Sequence, residues 1–174
     1  NTSGNSNSAF GAASLYSNTT GGSNSAFGKD ALRNNTTASN NTAVGYQSLY
    51  SNTTATRNAA FGALAAYATT TGNDIAAFGK SALASNTTGS QNSAFGTNAL
   101  TTNISGLYNA AFGSFSLESN TGSYNTAVGG NALNANTTAS NNTAVGYQAA
   151  YSNTTGTAVT AFGKGALYSN TTGY

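Results

Sequence analysis

The side chains that usually run chemistry in proteins are nearly missing from this chain. It contains no His, Cys, Trp, Met or Pro, and among 174 residues there are three acidic and five basic side chains. Without imidazole or thiol there is no usual nucleophile–base pair, no thiolate or imidazole metal site, no disulfide and no haem ligation. Asp30, Asp74 and Glu118 fall at three different positions of a repeat that runs through the chain. No carboxylate pair and no calcium cage is therefore expected to assemble. The expectation is a non-enzyme with no cofactor and no bound metal.

What remains is amide, hydroxyl and phenol chemistry. Asn18, Asn52, Asn86, Asn136, Asn153 and Asn170 each open an Asn-x-Ser/Thr sequon. They are candidate glycosylation sites if the chain passes through a glycosylating secretory route, and turn residues otherwise. Two threonine columns, such as Thr19, Thr36, Thr53 and Thr87 beside Thr20, Thr37, Thr54 and Thr88, suggest a regular hydroxyl array of the kind that binds ice. Adjacent threonines point to opposite sides of a strand, so the shared face is expected to read Asn-x-Thr. Tyr16, Tyr50, Tyr67, Tyr151 and Tyr168 recur at one position and Tyr46 and Tyr147 at another. Such aromatics either stack on a surface glycan or receptor or cover a seam between chains.

These residues recur because the whole chain is a repeat. "NTAVGYQSLYSNTTA" at 41–55 returns as "NTAVGYQAAYSNTTG" at 142–156. Aligned on the apolar anchor before a glycine, the copies fall at Phe10, Phe27, Val44, Phe61, Phe78, Phe95, Phe112, Val128, Val145 and Phe162. The spacing is 17 residues except between Phe112 and Val128, where it is 16. A fixed short period marks a solenoid, in which each copy buries its apolar side chains only against its neighbours.

Seventeen residues is too short for two helices and a turn. The fold expected is all-β: a β-solenoid, or β-roll, of about ten coils. Each coil should hold two short strands, one around Ala-Phe-Gly and one around small-Leu, with turns at Asn-Thr-Thr-Gly. Coils stacked at about 4.8 Å make a rod roughly 48 Å long. Equivalent residues then form ladders, above all Asn18, Asn35, Asn52, Asn86, Asn103, Asn120, Asn136, Asn153 and Asn170, broken by Thr69 alone.

Within the first strand, the Ala before each anchor and the Gly after it never vary and share one face, while the anchor and the preceding Ser/Thr/Ala share the other. Three residues before the anchor stands Asn, replaced by Ile75 and Val159 in two copies, which reads as a buried position. Both faces are thus expected to be covered, one by the coil's own Leu strand and the other by a second copy of the chain. The partner expected is the chain itself, as a homotrimer or a bundled filament. A net charge of +2 from scattered residues gives no footprint for nucleic acid. No apolar run approaches the ~18 residues of a membrane span. The array fills residues 1–174 and begins in mid-pattern without Met, which suggests a fragment of a longer fibrous protein.

The "NSAFG" stretches at 7–11, 24–28 and 92–96, with "NTAVG" at 41–45, 125–129 and 142–146, resemble the head repeats of YadA-type trimeric autotransporter adhesins and related repeats of phage and bacterial tail-fibre-like proteins. Here the period is longer, with one fewer apolar residue before the glycine. The resemblance implies a left-handed β-roll, three chains around one axis, an extracellular, cell-surface or virion location, and a role in adhesion or as a fibre shaft.

Overall fold

A computed structural model describes residues 3–173. The architecture is a β-solenoid. Ten three-residue strands, one per coil, run β1 (Ser8–Phe10), β2 (Ser25–Phe27), β3 (Thr42–Val44), β4 (Ala59–Phe61), β5 (Ala76–Phe78), β6 (Ser93–Phe95), β7 (Ala110–Phe112), β8 (Thr126–Val128), β9 (Thr143–Val145) and β10 (Thr160–Phe162). They form one parallel sheet in chain order, with Ala paired to Ala and anchor to anchor at each step. The described residues contain no helix.

The second strand expected around Leu is not there. That segment is a series of turns in which left-handed residues alternate with right-handed ones: Ala13 and Leu15 have φ of 56° and 49°, and the same two positions are left-handed in every later coil. The alternation keeps backbone groups pointing along the rod. Asp30 N–H donates back to Ala12 O at 2.8 Å, and Leu32 N–H donates forward to Ser48 O at 3.1 Å. Coil-to-coil hydrogen bonding therefore continues past the strand without β geometry.

The glycine after each anchor makes this change of direction. Gly45 has a φ of 134°, and a Cβ added there would stand 2.5 Å from Gly62 O in the next coil. Only a residue with no side chain satisfies both the dihedral and the spacing.

The core is narrow and built of small groups. Alanines of the strands, such as Ala26, Ala43, Ala60 and Ala77, are fully buried against the leucines of the turn segment, Leu32, Leu49, Leu83, Leu100, Leu117 and Leu133 among them. Ile75 and Val159 are buried in the asparagine column, in keeping with the sequence pattern. The anchors face the other way. Phe10 and Phe162 in the end strands are 77% and 82% exposed, and even mid-rod Phe61 keeps 37%. Cover for both strand faces is thus not supplied within the chain: the Ala face is closed by the coil's own leucines, and the Phe/Val face is open.

The 16-residue step is a shortened turn. Asn120 Nδ2 reaches the carbonyl of Gly122, two residues on, where Asn103 reaches Gly106, three residues on. The sheet passes the deletion in register, Ala110 to Thr126 and Phe112 to Val128.

Candidate functional surface: three ladders

Asparagine, hydroxyl and aromatic columns run the length of the rod. The asparagines that follow the leucine segment lie inside. Asn35 Nδ2 donates to Asn18 Oδ1 at 2.8 Å and to Ala38 O at 3.0 Å, and Asn52 Nδ2 repeats this with Asn35 Oδ1 and Ala55 O. The same bonds join Asn103 to Asn86, Asn136 to Asn120, Asn153 to Asn136 and Asn170 to Asn153. Each amide closes its own turn and ties it to the coil before.

The ladder breaks twice rather than once. At Thr69 the buried Oγ1 and the Oδ1 of Asn52 have no partner, and at the short coil Asn103 Oδ1 has none. Removing a residue between Asn120 and Gly122 draws Asn120 away from Asn103, an effect invisible in a ladder read as residue identities.

Of the two readings of the sequons, sugar site or turn residue, this placement favours the turn. Asn18, Asn52, Asn86, Asn136 and Asn153 are buried, and their Nδ2 groups, like that of part-buried Asn170, are hydrogen-bonded within the turns. A sugar on any of these nitrogens would crowd an amide already hydrogen-bonded within its turn, where these asparagines serve as turn residues.

A second asparagine column, not singled out in the sequence as a ladder, precedes the strands. Asn24 Oδ1 accepts from the backbone N–H of Asn41, while its Nδ2 donates to Ala38 O. Asn41 does the same with Asn58 and Ala55. Their recurrence three residues before every anchor but two was the available signal.

The threonine columns separate. Thr19, Thr36, Thr53 and Thr87 donate their hydroxyls to the carbonyl one coil on, as Thr19 Oγ1 does to Thr36 O at 3.0 Å. Thr20, Thr37, Thr54 and Thr88 are exposed. The Asn-x-Thr face does not form, because Asn18 points inward and Thr20 outward across a turn.

The anchors make a ring stack on the outer sheet face. Phe61, Phe78, Phe95 and Phe112 follow one another at centroid distances of 4.7 to 4.9 Å with planes within 10° of parallel. Val44, Val128 and Val145 interrupt the rings but continue the apolar column, and Phe27 stands beside Val44 in the sheet register. Since each ring's faces meet its neighbours, the stack presents ring edges outward. Ser, Thr or Ala fills the adjacent column, so this face carries no charge.

Charged residues lie elsewhere. Arg57 and Asp74, one coil apart, pair through two bonds of 2.6 and 2.9 Å. Hydrogen bonding to Arg57, aided by its charge, holds the Asp74 carboxyl below its ordinary value, and Asp74 raises Arg57. Asp30 meets Arg33 at 3.5 Å. Lys29, Lys80 and Lys164 occupy one column too far apart to form a basic track, and Glu118 stands apart from both aspartates.

The fold and these columns define a parallel β-solenoid repeat protein. Comparison with protein-family models, with curated proteins and with solved structures gives no match.

Proposed function

We propose that this chain is a non-catalytic structural segment, the repetitive shaft or head of an extracellular fibre such as a surface filament, an adhesin or a tail fibre on a cell surface or virion. One observation carries the reading: a stack of equivalent coils leaves an uncharged apolar column uncovered from Phe10 to Phe162. Its occupant is a second copy of this chain, in a homotrimer or a bundle. Another copy has the same coil rise, so ring edges on one rod keep step with those on its neighbour at every rung. The face is about 43 Å by 10 Å for nine steps of three-residue strands, roughly half of the ~800 Å² per partner of a standard interface. Cohesion therefore grows with the number of coils, as suits a shaft.

The geometry of the columns weighs against the other reading, a surface that binds ice or carbohydrate. Sugars stack on ring faces, and between Phe61 and Phe112 the faces within the Phe column are taken by neighbouring rings. One of the two threonine columns has its hydroxyl protons bonded to backbone. Electron microscopy of the purified chain tests the proposal. Elongated particles associating side by side are expected; dispersed single rods with thermal hysteresis at a growing ice front would replace it with the ice reading.

A further inference from the structure

Three pairs of tyrosines sit on successive rungs of the rod with their rings stacked. Tyr50 and Tyr67 have centroids 5.2 Å apart, Tyr108 and Tyr124 5.1 Å, and Tyr151 and Tyr168 5.2 Å, all with planes within 14° of parallel. Tyr108, Tyr124 and Tyr168 are exposed and the other three half-buried, so an oxidant reaches every pair. At this spacing a small tilt of either ring closes the gap between ortho carbons on adjacent rungs, and exposed side chains make such motions on the picosecond to nanosecond scale.

We propose that these pairs are oxidative cross-linking sites, where a peroxide-driven one-electron oxidant joins neighbouring coils through dityrosine. Each phenol gives up one electron and its hydroxyl proton to become a phenoxyl radical with spin density on the ortho carbons. A carbon–carbon bond forms between two ortho carbons, each then loses its hydrogen as a proton, and both phenol hydroxyls are restored as the rings regain aromaticity. The two tyrosines together lose two electrons and two protons, which convert one hydrogen peroxide to two waters. The Phe column has no phenol and takes no part. The product is a covalent staple between turns otherwise held by hydrogen bonds and packing, whether or not the rods assemble into fibres.

The chain supplies its own assay. Glu118 lies between Tyr108 and Tyr124, Arg57 between Tyr50 and Tyr67, and Lys164 between Tyr151 and Tyr168. The dilute protein is treated with hydrogen peroxide and a peroxidase, denatured, and cut with a Glu-specific protease or with trypsin. The expected result is a monomer whose fragments stay joined across these cuts, two hydrogens lighter per link, with blue dityrosine fluorescence. Linking at the pairs should exceed that at the lone Tyr16, Tyr46 and Tyr147 by about tenfold or more, the advantage of held proximity. Tyr124→Phe keeps the ring stack and should remove only the link across Glu118. Fragments that separate freely, links confined to dimers, or equal linking of paired and lone tyrosines would overturn the proposal.

Discussion

Asn52 Oδ1 and Thr69 Oγ1, one coil apart in the same interior column, both lie buried with no hydrogen-bond partner. On the side before them, Asn52 Nδ2 meets Asn35 Oδ1 at 2.8 Å; on the side after, Asn86 Nδ2 bonds only to Gly89 O. Thr69 is thus a gap in an amide chain. Thr69→Asn should close it, giving Asn52 a donor and Asn86 an acceptor, and raise stability by about 1 kcal/mol. Asn35→Ala should cost about 2 to 3 kcal/mol, because it strands its neighbours. Urea unfolding of both variants measures the difference, and an unchanged midpoint for Thr69→Asn would count against an energetic role for the ladder.

Two glycines at different positions of the coil separate a required glycine from an incidental one. Gly45→Ala places a Cβ 2.5 Å from Gly62 O at a φ of 134°, and should cost more than about 3 kcal/mol. Gly130 occupies a position that holds Ala12 and Ala63 in other coils, and a Cβ there meets nothing closer than Tyr147 at 3.5 Å. Gly130→Ala should be neutral or stabilise by up to about 1 kcal/mol through a less flexible unfolded chain. Thermal melts of the pair decide it.

Leu64 is held at a φ of 60° in a position filled by Gly165 six coils later. Its side chain is only half-buried. Leu64→Gly should therefore be stabilising or neutral, since relief of a left-handed strain of order 1 kcal/mol offsets the flexibility of glycine. A clear loss of stability in denaturant titration would show that the side chain packs more tightly than its exposure indicates.

The Arg57–Asp74 pair sets a modest acid response. The folded carboxyl of Asp74 is depressed, so its contribution is present above the unfolded value near 3.9 and is lost as pH falls below that value through the folded one. The raised Arg57 stays charged throughout. Because both groups are exposed the effect is small and salt-sensitive. Unfolding midpoints from pH 5 down to 2 should show a step in the parent that is absent from Asp74→Asn.

Replacing Phe61, Phe78 and Phe95 together by Ser should leave the rod folded, since the interior behind them is Ala and Leu, apart from about 0.5 to 1.5 kcal/mol for each lost ring pair. Self-association should fall sharply. Sedimentation over a range of concentrations reads this directly, and undiminished association would move the interface to another face.

The period, the parallel register, the asparagine column and the Ala/Gly face were all legible in the sequence, because stacking preserves residue identity from rung to rung. Which face turns inward was not. Alternation says that Ala26 and Phe27 point apart, and bulk suggests Phe for the interior, yet the unvarying residue is Ala26, the one that a narrow coil leaves no room to enlarge. The turn geometry at Leu32 was hidden for a related reason. Leucine is a poor left-handed residue, so its pattern reads as strand, while the only clue lay two residues earlier in the turn formers Asp30, Asn98, Asn131 and Gly165. The second ladder break depended on a length change and left Asn103 itself unaltered.

The missing residue between Asn120 and Gly122 shows where this architecture tolerates editing. Strand partners above and below the deletion stay aligned, and the fault stays at the corner, where Asn103 Oδ1 is orphaned and Ile104 N–H does not make the bond to the next coil that Thr87 N–H makes to Ile104 O. A residue fewer at that corner changes the contour of a single rung and leaves the rise of the staircase intact.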